Sequence, residues 1–328
     1  YGSDFSPKIA ARWQPIESLT LRASFGQGFR APGLDILTQA DSFSADFVSD
    51  PQTCLAQGLT ADCRNASGRY SPPQVDTWYM ANPDLTSEQS EQYSIGFIWS
   101  PLDWLDMSLD YYNIKVDDPI SSLSAQNIVN RELNPSVYGP IPDGLSVTRN
   151  PTDGRIIEII TSYRNMGDLK TDGFDLRFNT DFDLGNAGSL RNMLVLSRVN
   201  SYEVTSGISD TIDYVGYMGS PKNRVSLQNF WSIGDFEISW NINYIDGQTD
   251  PDGVDAYGNP VPGDRVGGYA TNDLQFGWNA PWNGKFVIGA TNVGDRYPEL
   301  VAYDGRPWNF YLYDAYGRTP YFRYTQTF

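Results

Sequence analysis

Apolar and polar residues alternate with a period of two over segment after segment of this 328-residue chain. In Phe236 to Ile245, the side chains of Phe236, Ile238, Trp240, Ile242 and Tyr244 share one face, and Glu237, Ser239, Asn241 and Asn243 share the other. Gln92 to Trp99 repeats the pattern with Tyr93, Ile95, Phe97 and Trp99. Leu19 to Phe25 sets Leu19, Leu21, Ala23 and Phe25 against Thr20, Arg22 and Ser24. The chain ends the same way, with Phe322, Tyr324 and a terminal Phe328 against Arg323, Thr325 and Thr327. Such a strand shows one face to an apolar medium and the other to water, and about ten tilted residues of it cross a bilayer. A soluble sandwich of half-buried strands alternates too.

The pattern predicts strands at 4–13, 19–28, 90–100, 105–116, 156–182, 188–204, 221–232, 236–248, 268–280, 284–295 and 318–328. Short connections then alternate with long ones near 29–89, 117–155, 205–220, 249–267 and 296–317. Outer-membrane barrels carry short periplasmic turns and long extracellular loops, so the C-terminus is expected in the periplasm. The span from Ile156 is too long for the membrane alone, and reads either as one projecting strand or as two pieces. Ser124 to Leu133 has helical spacing behind a serine cap and predicts a short helix in the second long loop. Arg22, Arg177 and Arg323 point inward by parity.

Composition favours the barrel over a sandwich or propeller. Mean hydropathy is −0.43, and no stretch approaches the roughly 20 apolar residues that a membrane helix needs. Aromatic residues make up 14 % of the chain, more than a core requires, and suit girdles at the two membrane interfaces. A formal charge of −17 opposes binding to nucleic acid, which needs a basic surface. It fits acidic loops in solvent.

Cys54 and Cys63 sit in a polar stretch and read as a disulfide-closed loop made in an oxidising space, against the alternative of two free thiols. The chain contains no histidine, which removes imidazole metal ligation and Ser-His catalysis. An enzyme would be left with carboxylate or lysine schemes, so a non-enzyme without cofactor or metal is expected. Asp250, Asp252 and Asp255 crowd carboxylates but miss the calcium-loop spacing, and an ordinary acidic turn is the commoner reading. About eleven strands is an odd number, whereas single-chain bacterial barrels close with an even one. An unpaired edge at 4–13 would leave backbone groups unsatisfied in lipid, so further strands are expected to pair with it.

Phe25 to Leu37 (FGQGFRAPGLDIL), Asn82 to Phe97 (NPDLTSEQSEQYSIGF), Leu109 to Val116 (LDYYNIKV), Gly173 to Leu176 (GFDL), Ala290 to Pro298 (ATNVGDRYP) and Tyr316 to Phe328 resemble, in order, the hallmarks of TonB-dependent outer-membrane receptors. The resemblance covers the whole chain. It implies an all-β, antiparallel up-and-down transmembrane barrel in which residues 1–328 supply the C-terminal eleven or so strands of 22. No segment here resembles the family's plug domain or its TonB-contacting box. It further implies a Gram-negative outer-membrane receptor that binds a scarce, bulky solute in an extracellular vestibule and imports it by TonB-coupled movement of the plug. The partners that follow are an N-terminal plug with the remaining strands, the TonB-ExbB-ExbD system, outer-membrane lipid and lipopolysaccharide, and the barrel-assembly machinery, for which Phe328 resembles the terminal signal. A passive porin-like channel is the alternative, distinguished by an open lumen.

Aromatic residues that a solvated loop does not need are the candidate ligand contacts. Arg306, Trp308, Phe310, Tyr311 and Tyr313 crowd the last long loop, and Tyr70, Trp78 and Tyr79 precede the NPDL motif. Packing of the loops against one another, or a seat in the upper aromatic girdle, is the commoner reading for any one of them, and Arg306 reads equally as an ion pair with Asp304 or Asp314. The ligand is expected to be a small molecule, oligosaccharide or peptide, since acidic loops oppose strongly anionic solutes.

Overall fold

The computed structural model describes residues 4–205, 211–254, 260–301 and 308–328. Its strands, in chain order, begin with β1 (Lys8–Ile16), β2 (Leu19–Arg30), β3 (Ser42–Phe47), β4 (Gln74–Met80), β5 (Glu88–Leu102) and β6 (Leu105–Asp117). They continue with β7 (Ile120–Ser122), β8 (Ser146–Arg149), β9 (Ile156–Asn165), β10 (Asp168–Asp183), β11 (Ser189–Thr205), β12 (Ile212–Asp213) and β13 (Asn223–Ile233). The last are β14 (Phe236–Ile245), β15 (Gln248–Val254), β16 (Pro260–Val266), β17 (Tyr269–Ala280), β18 (Gly284–Thr291) and β19 (Thr319–Gln326). Short helices α1 (Leu34–Thr38), α2 (Pro51–Ala56), α3 (Ala125–Leu133) and α4 (Pro135–Tyr138) lie between them.

Eleven strands form one antiparallel path, β1-β2-β5-β6-β10-β11-β13-β14-β17-β18-β19, which is the all-β, up-and-down wall that the alternation predicts. Paired residues share a face, and the register carries each face from strand to strand. One apolar row runs through Leu21, Phe97, Leu109, Leu176, Leu196 and Val225. The opposite row at this level holds Arg22, Gly96, Asp110, Asp175, Ser197 and Arg224. Apolar side chains thus face outward to lipid, and Arg22, Arg177 and Arg323 face inward as parity predicts.

The outer face is bounded by rings. Next to the short turns, Trp104 meets Phe182 at 5.0 Å, Trp278 meets Phe286 at 5.6 Å, and Phe286 meets Tyr324 at 4.8 Å. Toward the long connections, Tyr111 lies 6.0 Å from Tyr93 and 5.1 Å from Phe174. Two aromatic bands with aliphatic side chains between them match a bilayer and its interfaces.

Several strand limits differ from the alternation. The first strand is Lys8–Ile16 rather than 4–13, because its ladder with β2 continues to the turn at 17–18. The last stops at Gln326, leaving Phe328 fully exposed beyond it. The long span from Ile156 is two strands: β10 enters the wall, and β9 does not.

The two longest connections, 31–87 and 118–167, are not open loops. They fold together into a module with its own sheet, β3-β4-β9-β7 with β8 on β9. β4 and β9 pair in parallel, bringing together segments that periodicity treats separately. One sheet face and α3 bury Val48, Val75, Leu123, Ile128, Val129 and Ile159. The helix forms where predicted, with the Ser124 hydroxyl accepting from the Asn127 amide.

Two links hold this module. Cys54 and Cys63 form a disulfide. Asp50 caps α2 by accepting from the Thr53 amide at 2.8 Å, and is fully buried. Arg149 donates to both Asp50 oxygens at 2.9 and 3.0 Å and to Glu132 at 2.6 Å, tying α2, α3 and β8 together. Burial pushes the Asp50 carboxyl up, but the Arg149 guanidinium and the Thr53 hydroxyl and amide outweigh it and hold it below the ordinary range.

Candidate functional site

The connection after β18 turns back on itself at once. Asn292, in the left-handed region at φ 48°, donates from its amide to the Arg296 carbonyl at 2.7 Å and accepts from the Arg296 amide at 2.9 Å. Tyr269, at the top of β17 and on the inner face, shares its one hydroxyl proton between the carbonyls of Arg296 and Asp314, both at 3.2 Å. The last loop is thereby drawn inward over the polar face of the wall.

Tyr313 anchors it. Its ring meets that of Tyr269 edge-on at 5.1 Å, and its hydroxyl accepts from the buried Gln248 amide at 2.6 Å. Met218, Val266, Tyr269 and Tyr313 form a small core, against which Ile245, Val301, Trp308 and Leu312 pack. Burial pushes the Tyr313 phenol up, and the Gln248 hydrogen bond opposes it.

Around this anchor Phe310, Tyr311 and Tyr316 are exposed, while Trp308 is half-buried. Trp308 and Phe310 pack edge to face at 4.8 Å. Tyr311 is 85 % exposed and Tyr316 is 87 % exposed. With Asp314 they line a cleft of about 580 Å³. A second, of about 240 Å³, shares Asp314 and is otherwise lined by Tyr269, Thr271, Asp273, Thr291, Asn292 and Gly317. Thr271, Asp273 and Thr291 occupy the inner parity of β17 and β18, so an aromatic mouth adjoins a polar stretch of the lumen wall.

Of the sequence-predicted contacts, the structure brings together Trp308, Phe310, Tyr311 and Tyr313, with Tyr313 inside as the anchor. Arg306 lies outside the described residues, as does Asp255 of the acidic segment. Tyr70, Trp78 and Tyr79 belong to the module, and none of them lines the cleft. The Tyr70 and Ser49 hydroxyls hydrogen bond to each other. Trp78 packs edge-on against Phe43 at 5.3 Å. Tyr79 donates to Asp46 at 2.8 Å, and burial together with that carboxylate pushes its phenol up to about 12. Sequence reading missed Asp314, Thr271, Asp273 and Thr291. The inner parity of the strand tops was the available signal, but which loop folds onto them was not.

Among the described residues no group of three acidic or cysteine side chains is placed to hold a metal. The arrangement offers stacking surfaces and hydrogen-bond groups, which is binding chemistry.

A family model described as TonB-dependent receptor-like β-barrel matches residues 1–293. The fold is similar to that of a mutant ferric enterobactin receptor of Pseudomonas aeruginosa, with a TM-score of 0.64 and 18 % identity over 99 % of this chain and 40 % of that one. It is similar to the siderophore receptor PirA of Acinetobacter baumannii, at 0.63 and 14 % over 98 % and 41 %. The FrpB iron transporter of Neisseria meningitidis gives 0.56 and 15 % over 98 % and 39 %. The chain therefore spans about two fifths of the length of these proteins. No curated protein matches it.

Proposed function

This chain belongs to the TonB-dependent receptor β-barrel family, and we propose that it is the C-terminal part of the barrel of an outer-membrane receptor that takes up a bulky solute. The observation that carries this reading is the two-sided wall: an apolar outer face between aromatic bands, a polar inner face, and every long connection at one end. That end holds both the folded module and the aromatic cleft, as a vestibule open to the cell exterior would. Solute bound there passes inward when a plug, filling a lumen that this wall partly encloses, is moved by TonB. The work is binding and displacement, with no covalent step.

The resemblance to siderophore and iron receptors is one of fold at these identities, so their solutes do not transfer to this chain. A porin-like channel is disfavoured by family membership. TonB coupling is tested by capture: the full receptor, extracted from native outer membranes, should bind the immobilised periplasmic domain of TonB. Failure to bind, with the barrel shown to be folded, would remove the energised mechanism.

A further inference from the structure

The two clefts that meet at Asp314 have a composition that discriminates among solutes. The first presents aromatic faces, with Tyr311 and Tyr316 the most open. The second presents hydroxyls, two carboxylates and an amide. Among the described residues, neither lining contains a lysine or arginine. Arg224, whose charge reaches the Tyr313 phenol, and Arg296, whose charge reaches the Tyr269 phenol, lie outside both.

A strongly anionic solute would bring like charge against Asp314 and Asp273 with no cation among the described lining residues to compensate, at a cost that grows as water is excluded. A purely apolar solute would strip water from Asp273, Thr271 and Thr291 without replacing their hydrogen bonds. A neutral polyol satisfies both halves. Its C–H faces lie on aromatic rings, and its hydroxyls donate to carboxylates and exchange hydrogen bonds with threonines. The capacity is there: one Asp314 oxygen accepts from the Tyr316 amide at 2.9 Å, and no other described residue donates to the second. The Asp273 Oδ1 accepts from the Asn292 amide at 2.8 Å, while its Oδ2 has only a long contact of 3.5 Å from the Asn243 side chain.

We propose that the joined clefts receive a neutral, polyhydroxylated solute of the oligosaccharide class, stacked on Tyr311 and Tyr316 and hydrogen-bonded by Asp314, Asp273, Thr271 and Thr291. This rests on the receptor reading above and names its substrate class.

The test is binding of the full-length receptor in detergent to an array of neutral plant and bacterial oligosaccharides, with ferric enterobactin as an anionic probe measured alongside. At least one neutral oligosaccharide should bind, and Tyr311→Ala and Asp314→Asn should each weaken it roughly three- to tenfold. Tyr311 is so exposed that its truncation leaves the fold intact, which heat-modifiable mobility on a gel checks for both variants. No binder on the array, binding unchanged in both variants, or ferric enterobactin binding lost in Tyr311→Ala would each overturn the assignment. Capture by TonB in those cases would keep the receptor reading while the substrate class falls.

Discussion

Arg22 reaches across an entire strand to Asp110: its Nε donates to Oδ1 at 2.8 Å, and Gly96 lies between the two residues in the ladder. The row works because the middle position has no side chain. A Cβ at Gly96 would stand 2.5 Å from the Leu109 carbonyl oxygen and 2.1 Å from an Asp110 oxygen.

Gly96→Ala should therefore weaken the barrel by about 1–3 kcal/mol, the cost of overpacking. The temperature at which the full receptor loses its folded-barrel mobility on a gel measures this, and an unchanged transition would show that the wall yields there at no cost.

In the module of 31–87 and 118–167, Arg149→Met leaves Asp50 fully buried with no counter-charge, at a cost of about 3–5 kcal/mol. We expect protease cuts within 118–167 that the parent resists. Because Asp50 is held below its ordinary value of 3.8, its contribution is complete above that pH. It is lost only as the pH falls through the lower folded value, so the parent module should stay resistant down to about pH 4.

Tyr79 gives the opposite sign. Its phenol, raised to about 12 in the folded module, adds stability that is complete below pH 10 and lost as the pH climbs through the raised value. Difference absorbance between the parent and Tyr79→Phe should show one phenol that stays protonated at pH 11; its ionisation near 10 would deny the half-buried bond to Asp46.

The two faces of the wall predict unequal tolerance of charge. Leu274, paired with Trp240 on the outer face, should cost about 2–4 kcal/mol when changed to Lys, while Ser239→Lys on the inner face should cost close to nothing. Equal losses in urea unfolding from vesicles would mean that the faces are misassigned.

How much of this was legible in the sequence depended on whether the partner was local. Phe236 to Ile245 declares both its faces by alternation alone, because lipid and water bound it everywhere, and neighbours in sequence are neighbours in the wall. β4 and β9 lack that clean alternation and pair in parallel across about eighty residues, and nothing in either segment names the other. Tyr313 likewise reads as one more loop aromatic until Gln248, 65 residues away, donates to it. The arginines were placed by parity, whereas the closure of Arg22 onto Asp110 needed the register and the gap at Gly96.

The central claim is that this wall encloses a plugged, energised receptor rather than an open pore, and planar-bilayer conductance of the complete protein from native outer membranes tests it most directly. A sealed barrel with no steady ion current is expected. A stable, open channel in the untreated protein would contradict it.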